Sequence, residues 1–340
     1  MDSPELSIVI PALNEAAHIG ALLDDLSRQH DVCSELIVAD GGSVDGTPAL
    51  CRSRGAQVVE APRGRGIQLN RGRARAQAPL LLFLHADSRL EHDGQLAEAV
   101  AAWRQAADER VAGHFQLRFT TTGPRIPSLD WYECLSALGR PQTVNGDQGL
   151  LIDAGWLDSL GGFHEILPFL EDQDLGHRHL AAGGSWLLLP GRLHTSARRF
   201  ERDGVRQRSM QNALIMAMFS FRDPLVLGDS DRWYAPPGAD SDGLHTWLDT
   251  LMAQLATRPL RARLRFMRQL GRYANRQGIW RLFYAVDLRR HGPDAAQVHP
   301  CLDAYDRWVA RPSDTRALDS LLGVLAMATI AGVRASSRPS

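Results

Sequence analysis

The chain has 340 residues, of which 44% are apolar and 23% charged, so it is expected to be a globular protein of about two domains. This composition excludes a disordered or collagen-like chain. With 38 basic and 39 acidic residues the formal net charge is -1, which excludes an overall positive field that would attract DNA or an anionic membrane and leaves only local basic patches. No lysine is present, which excludes Schiff-base chemistry and a P-loop lysine.

Strand and helix patterns alternate in the first part of the chain. Short apolar runs predict four strands: Leu6–Ile10, Glu35–Ala39, Gln57–Glu60 and Leu80–Leu84. Helices are predicted between them, one opening at Asn14, one at about Thr47 and one ending at Ala78. Successive strand–helix units predict the α/β class with a mostly parallel, doubly wound sheet, whose ligand binds at the carboxyl ends of the strands.

The middle of the chain has a mixed pattern, and its last third is helical. Residues Leu90–Ala107 favour a helix, whereas Val111–Phe119 and Trp186–Leu189 favour strands. We therefore predict an α/β domain over residues 1–235, a linker rich in Pro and Gly over 236–243, and a helical extension over 244–335.

The helical extension has a basic stripe and an apolar run. The basic stripe consists of arginines at helical spacing: Arg261, Arg265, Arg268, Arg272 and Arg276. The apolar run, Leu321–Val333, is shorter than the roughly 20 residues of a membrane-spanning helix and predicts a buried or interfacial helix. Three interpretations of the extension stay open: a platform for a membrane surface or a polyprenyl-phosphate acceptor, an oligomerisation helix pair, and packing against the catalytic domain.

The cysteines and the N-terminus bear on the cellular compartment. Cys33, Cys51, Cys134 and Cys301 form no Cys-x-x-Cys pair, so reduced thiols are expected rather than a zinc site or a disulfide framework. The first residues carry acid where a signal peptide carries base. A cytoplasmic protein is expected. It would be peripheral to the inner face of the membrane if the basic helices bind there.

Aspartates follow the ends of the predicted strands. Asp40 and Asp45 come after the second strand, and Asp87 comes after the fourth. Carboxylates on neighbouring parallel strands converge, and they would hold a divalent cation that screens a phosphate-bearing ligand. Asp45 precedes Thr47 and is also a candidate for capping a helix.

Three further clusters suggest chemistry. Glu171, Asp172 and Asp174 could supply a general base, or could stabilise the dipole of the helix that they open. The pair Arg198 and Arg199 suits a diphosphate, although a solvated arginine pair is the alternative. The glycine-rich loop before Leu69 lacks the third glycine of a dinucleotide fingerprint.

Four motifs in this order resemble glycosyltransferase family 2, which has the GT-A fold. They are Ile8–Glu15, Val38–Thr47, Leu84–Ser88 and Glu171–Asp172. Four others resemble a bacterial subgroup known as radical-SAM/selenodomain-associated transferases: Arg65–Asn70, Gly146–Gln148, Gly161–Phe163 and Ser196–Phe200. The resemblance covers about residues 5 to 230, and the helical extension lies outside it.

The resemblance implies a binding site for a nucleotide-sugar donor, a UDP- or GDP-sugar. It implies that Pro11, Asn14 and Glu15 line the nucleoside pocket, that Asp40 reads the base, and that Ser43 lies near the ribose or base. The full set of donor-binding residues that it implies is Pro11, Asn14, Glu15, Asp40, Ser43, Asp45, Arg65, Gln68, Arg198 and Arg199.

The resemblance also implies a divalent metal, Mn²⁺ or Mg²⁺, bound by Asp87. This residue corresponds to the last acid of the family's Asp-x-Asp motif, whose first acid is replaced here by His85. His85 is a candidate neutral ligand, with a ribose contact and simple packing as alternatives, and His194 is a candidate third ligand. Asp172 corresponds to the base of inverting members, with Glu171 in support.

The expected reaction is transfer of the sugar to an unidentified acceptor hydroxyl or phosphate, a lipid-linked acceptor included, with inversion at the anomeric carbon. Two alternatives are weighed against it. A sugar-phosphate nucleotidyltransferase is disfavoured because the chain has no lysine. A non-catalytic scaffold that binds a nucleotide or sugar stays open because His85 replaces a metal-binding acid.

Overall fold

The computed structural model describes residues 3–140, 143–167, 169–223, 244–292, 295 and 297–336. The chain forms two compact units, Met1–Arg198 and Arg199–Ser340. The division therefore precedes the predicted boundary at residue 235, because the segment after Arg198 packs with the helices of the second unit. For example, Asp223 forms an ion pair with Arg258 at 2.6 Å. The predicted linker, 236–243, lies outside the described residues.

An eight-stranded sheet is the centre of the first unit, with the strand order β3-β2-β1-β4-β7-β6-β8-β5. Its strands are β1 (Leu6–Ala12), β2 (Ser34–Asp40), β3 (Gln57–Glu60), β4 (Leu80–Phe83), β5 (Arg89–Leu90), β6 (Val111–Thr120), β7 (Leu150–Asp153) and β8 (Ser185–Ser196). The first four are parallel, as predicted. The sheet as a whole is mixed, because β7 is antiparallel to β4 and β6, and β5 is antiparallel to β8.

Helices lie between the strands and cover both faces of the sheet. They are α1 (Ile19–Ser27), α2 (Thr47–Ser53), α3 (Arg65–Arg73), α4 (Gln95–Ala106), α5 (Asp130–Ser136), α6 (Ala154–Ser159) and α7 (Glu171–Ala181). Successive residues of a strand enter opposite cores: Leu80 and Leu82 belong to one apolar cluster, and Leu81 and Phe83 to the other. The wholly apolar sequence of β4 is thus explained by burial on both faces.

Two helices begin later than the sequence pattern predicts. The helix expected from Asn14 begins at Ile19, because Asn14 has a left-handed backbone with φ of 56° and belongs to a loop. The helix expected from Leu90 begins at Gln95. Leu90 instead belongs to β5, and its backbone N–H donates to the buried Asp25 carboxylate at 3.1 Å.

The described part of the second unit is helical, as expected for the extension. Its helices are α8 (Arg198–Asp203, beginning at the last residue of the first unit), α9 (Val205–Ser220), α10 (Leu244–Ala256), α11 (Leu260–His291), α12 (Pro300–Ala304), α13 (Ala310–Ser313) and α14 (Arg316–Ser336), with a π-helical turn at Tyr305–Val309. The strongest packing joins α11 and α14.

Helix α14 is longer than the predicted apolar run and largely exposed, so the buried interpretation is wrong and the interfacial one stays a prediction. Over Arg316–Ala335 it has 20 residues, a mean hydropathy of 1.5 in its most apolar window, and only 17% of that window buried. The helix exceeds the apolar run because the turn from Arg316 to Ser320 precedes it. Among the described residues this is the one helix long and apolar enough to cross a membrane.

Candidate active site

The loops after β1 and β2 are bonded to each other through predicted site residues. The backbone N–H of Asn14 donates to Ser43 Oγ at 2.8 Å, and the N–H of Val44 donates to Asn14 Oδ1 at 2.9 Å. These bonds fix Asn14 and Ser43 at the carboxyl edge of the sheet, where the strand pattern predicts a ligand site. Pro11 is the last but one residue of β1, and it pairs in register with Ala39 of β2.

Asp40 has one oxygen engaged and one free among the described residues. Its Oδ2 accepts from the backbone N–H groups of Gly42 and Ser43 at 3.1 and 3.0 Å. Its Oδ1 is buried and has no hydrogen-bond partner in the described part of the chain. A buried acceptor without a partner is costly, so this oxygen is suited to accept a bond from a ligand.

Two other predicted donor-binding residues have structural contacts that use their polar atoms. Asp45 Oδ1 accepts from the backbone N–H of Thr47 at 3.1 Å, and its Oδ2 accepts from the N–H of Ala16 at 3.0 Å. The Thr47 hydroxyl also donates to Asp45 Oδ1, and this side-chain hydrogen bond is the largest cause of the lowered pKa of Asp45. Gln68 Nε2 donates to the carbonyl oxygens of Ala12 and Ala39 at 2.7 and 2.9 Å, which joins the ends of β1 and β2.

Arg198 lies between two carboxylates. Its Nη2 is 3.5 Å from Glu15 Oε1 and 3.6 Å from Asp87 Oδ2. Burial raises the pKa of Glu15 and Asp87 adds to this effect, whereas Arg198 opposes it. Glu15 Oε2 is buried without a hydrogen-bond partner among the described residues. The Arg198 guanidinium therefore offsets the negative charge of two carboxylates from the loops after β1 and β4.

Arg65 and Glu171 form a second, more buried pair. Arg65 Nε lies 2.7 Å from Glu171 Oε1, and the Glu171 side chain is 1% exposed. Burial raises the pKa of Glu171, and Arg65 opposes this. For Arg65, burial disfavours the charge, but Glu171, Asp172, Asp147 and Asp87 outweigh it and raise its pKa. The pair thus places a fixed positive charge beside Asp172.

Helix α7 begins at Glu171 as predicted, but the three acids at its start have different surroundings. Asp174 pairs with His164 and Arg178 at 2.9 and 2.8 Å, away from the Arg65 pair. Asp172 is partly exposed, and its Oδ2 accepts from the backbone N–H of Gly146 at 2.5 Å. Of the three acids, Asp172 is partly exposed, whereas Glu171 and Asp174 are buried.

Gly146 is the point on which three functional side chains converge. A Cβ atom at this position would lie 2.9 Å from Asp172 Oδ2, 3.1 Å from Arg65 Nη2 and 3.1 Å from His85 Nε2. A carboxylate, a guanidinium and an imidazole therefore meet beside this one residue. Glycine is the residue that allows the three side chains to approach the backbone this closely.

His85 is oriented by an acid to which sequence reasoning gave no role. Its Nδ1 lies 2.8 Å from Asp147 Oδ1. In the neutral tautomer that donates to Asp147, Nε2 keeps its lone pair on the side of Gly146. The motif Gly146–Gln148 pointed to this loop, but the sequence alone did not show that Asp147 faces His85.

Two predicted site residues are not joined to these clusters by any described contact. His194 lies in β8, where burial lowers its pKa and the charged groups around it are Glu91, Arg118, Glu133 and Arg192. None of these charged groups belongs to the predicted site. Arg199 belongs to the second unit, so its role toward a diphosphate stays a prediction.

No group of three His, Cys, Asp or Glu side chains able to hold a metal ion occurs within the described residues. Such a group is not required for a cation that arrives with phosphates, because Mg²⁺ is often held by one or two carboxylates together with substrate phosphates. Asp87 and His85 stay the predicted ligands of such a shared site.

A comparison with protein families gives a match over this sheet edge. Residues 7–154 match Glycosyl transferase family 2. The matched segment contains β1 to β4 with their loops, and therefore Glu15, Asp40, Arg65, His85 and Asp87.

Curated relatives carry the same kind of name. The chain is 36% identical over 108 residues to a PGL/p-HBAD biosynthesis glycosyltransferase of Mycobacterium bovis, which is 30% of this chain and 42% of that protein. It is 35% identical over 92 residues to glucosyl-3-phosphoglycerate synthase of Mycobacterium tuberculosis, which is 24% of this chain and 28% of that protein. The chain thus spans less than half the length of these relatives.

A solved structure gives the same architecture over most of the chain. The mannosyltransferase PcManGT from Pyrobaculum calidifontis, in complex with GDP-Man and Mn²⁺, is 20% identical, with 95% of this chain and 88% of that chain covered and a TM-score of 0.51. At this identity the likeness concerns the fold alone. It confirms the predicted GT-A fold with a helical region after it.

Proposed function

We propose that the protein is a glycosyltransferase that moves a sugar from a nucleotide-sugar donor to an acceptor hydroxyl or phosphate. The observation that carries the proposal is the convergence of Asp172, Arg65 and His85 on Gly146. This convergence lies at the carboxyl edge of a sheet whose first four strands match a glycosyltransferase family. Relatives that are named glycosyltransferases support it.

The nucleoside of the donor is proposed to bind at the loops after β1 and β2. Asp40 Oδ1 is the buried acceptor available there, and a base N–H would satisfy it. Asn14 and Ser43 hold the two loops together. Asp45 and Gln68 hold the segments around this position together, because their polar atoms bond backbone groups. The base and the sugar are not fixed by these contacts; a UDP- or GDP-sugar is the proposed class.

Asp172 is proposed as the general base. The acceptor oxygen gives its proton to the Asp172 carboxylate and forms a bond to the anomeric carbon, while the bond from that carbon to the diphosphate oxygen breaks. The nucleoside diphosphate leaves with the electron pair, and the anomeric centre is inverted. Hydrogen bonding to Gly146 N holds Asp172 in place, and Glu171 holds Arg65 beside it.

Arg198 is proposed to stabilise the departing diphosphate. Its guanidinium lies beside Glu15 and Asp87, in the loops that follow β1 and β4. A divalent metal, Mn²⁺ or Mg²⁺, would be held by Asp87 and His85 and would screen the negative charge of the diphosphate. The Mn²⁺ in the mannosyltransferase complex supports a metal of this kind. A third ligand at His194 has no supporting contact.

The test is turnover of nucleotide sugars with water as the acceptor. We expect the wild type to release nucleoside diphosphate from one member of a panel of UDP- and GDP-sugars. Replacing Asp172 by Asn should lower this rate by at least about a hundredfold, since general bases contribute 10² to 10⁴, while donor binding measured by thermal stabilisation is retained.

The control is Asp31→Asn, at an exposed loop position with a φ of 58° that asparagine tolerates. It should leave turnover unchanged. Retained turnover in Asp172→Asn would refute the assignment of the base. Donor binding without any turnover in the wild type would favour the non-catalytic scaffold.

The compartment and the subgroup are proposals as well. We propose a cytoplasmic protein that contacts the inner face of the membrane through its basic helix. Membership of the radical-SAM/selenodomain-associated subgroup stays a prediction from the motifs.

A further inference from the structure

The second unit has an exposed row of arginines on α11. Arg261, Arg265, Arg268 and Arg272 are exposed, and none of them forms an ion pair within the described residues. Arg276 continues the row and pairs with Asp314 at 2.8 Å. The single acid of α11, Asp287, is fully buried and bonds the backbone of α12. The row therefore presents uncompensated positive charge.

The neighbouring helix α14 has large exposed apolar side chains. Leu321 is 57% exposed and Val324 is 51% exposed, in a helix whose most apolar window is only 17% buried. Exposed apolar side chains of this kind on a folded unit mark a surface that contacts a membrane or another protein.

Helices α11 and α14 cross closely and run antiparallel. Gly271 lies against Asp319 and Gly323, and one turn later in α11 Asn275 Nδ2 donates to Asp319 Oδ1 at 3.0 Å. Gly323 also lies against Met267, one turn earlier in α11. Position along one helix thus increases as position along the other decreases.

This crossing brings the arginines and the apolar stripe to one side. At about 100° per residue, Arg265, Arg268 and Arg272 lie roughly 60° to 120° around α11 from Gly271. Leu321 and Val324 lie roughly 100° to 160° around α14 from Gly323, in the same rotational sense. Because the helices are antiparallel, equal senses of rotation from the contact line lead to the same side of the pair.

We propose that this side, the basic–apolar face formed by Arg261, Arg265, Arg268, Arg272, Leu321 and Val324, binds the surface of a bilayer that contains anionic lipids. Arginines contact the lipid phosphates while the apolar side chains enter the boundary with the acyl chains. The proposal does not depend on the transferase activity.

Two other arrangements fit the face less well. A membrane-spanning α14 would bring α11 with its arginines into the hydrocarbon core, at about 2.5 to 3.5 kcal/mol for each arginine on insertion scales. A second copy of the chain would oppose one arginine row to another, and the six residues that form this face include no acid. An anionic surface matches both the charge and the apolar stripe.

The test uses the full chain in flotation with vesicles of phosphatidylcholine alone and of phosphatidylcholine with one third phosphatidylglycerol. We expect binding to the anionic vesicles only, weakened by salt. The variant R265Q/R268Q/R272Q should bind at least about tenfold less, since each basic residue near the surface contributes roughly a factor of five. The variant L321S/V324S should also bind less.

The matched control is R52Q/R71Q/R75Q, which removes the same charge from exposed positions of the first unit and should bind like the wild type. An equal loss in this control would overturn the assignment to this face. Absence of wild-type binding would overturn the proposal, as would binding that salt does not weaken. A dimer in light scattering that R265Q/R268Q/R272Q dissociates would also overturn it, in favour of a second copy.

Discussion

The missing side chain of Gly146 determines how closely three functional groups can approach. Asp172, Arg65 and His85 come from α7, α3 and the loop after β4, and they meet around this residue. The backbone of Gly146 contributes as well, because its N–H holds the Asp172 carboxylate. This loop thus positions the proposed base, and its close contact with the three side chains leaves no space for an added Cβ.

Replacing Gly146 by Ala should impair catalysis without unfolding the protein. The new Cβ would lie 2.9 Å from Asp172 Oδ2, so the carboxylate must move by a few tenths of an ångström or more. Small displacements of reacting groups cost up to about a hundredfold in rate. We expect donor turnover to fall about tenfold to a hundredfold, measured as nucleoside diphosphate release, with the far-UV circular dichroism unchanged.

Gly123→Ala is the matched control, because a Cβ there meets nothing within 4 Å. It should turn over the donor like the wild type. Unchanged turnover in Gly146→Ala would contradict the placement of the reacting atoms beside this residue.

The sequence predicted where polar residues collect but not which of their atoms stay available. Asp40 and Asp45 follow from the rule that ligands bind at the carboxyl ends of parallel strands, whereas Gln68 follows only from the family resemblance. Their sequence positions do not show that Asp45 and Gln68 bond backbone groups of neighbouring segments, while Asp40 Oδ1 has no partner in the described part of the chain. That difference depends on tertiary contacts between segments far apart in the chain.

At the scale of elements, the α11–α14 crossing depends on two glycines. A Cβ at Gly271 would lie 1.8 Å from the carbonyl oxygen of Asp319 and 2.4 Å from the backbone nitrogen of Gly323. Backbone atoms cannot rotate away as side chains do, so the helices would have to separate. The crossing also holds the buried bond between Asn275 and Asp319.

Gly271→Ala should destabilise the second unit by about 3 kcal/mol or more, the upper part of the range for overpacking. Calorimetry should show its unfolding transition at a temperature lower by roughly 6 to 12 °C. Gly278→Ala, in the same helix, meets nothing within 4 Å and should be neutral or slightly stabilising. Equal melting temperatures for the two variants would contradict the close crossing.

Element boundaries show the limit of local pattern. Apolar runs and turn residues predict strands β1 to β4 and the start of α2, and the observed bounds differ from the predicted ones by at most two residues. The late start of α1 cannot be predicted from local pattern. The backbone N–H groups of the preceding loop donate to side chains of Ser43, Asp45 and Thr47, so this loop does not continue the helix. The pairing of β5 with β8 is equally invisible in sequence, since it joins residues about one hundred positions apart.

The whole molecule combines an α/β unit that carries the proposed chemistry with a helical unit outside the family match, which ends at residue 154. The fold class and the family were predicted from the order of motifs along the chain. The division after Arg198 was not, because composition marks a linker only where Pro and Gly gather, whereas compactness depends on packing between helices. The basic–apolar face likewise depends on the way in which two helices cross.

The most direct test of the transferase account is binding of the nucleotide part of the donor. We would measure the melting temperature of the full chain with UDP, GDP and other nucleoside diphosphates, with and without Mn²⁺, for the wild type and Asp87→Ala. A ligand that binds only the native state raises the melting temperature. The account predicts a metal-dependent rise for one nucleotide that Asp87→Ala abolishes; no rise with any nucleotide would contradict it.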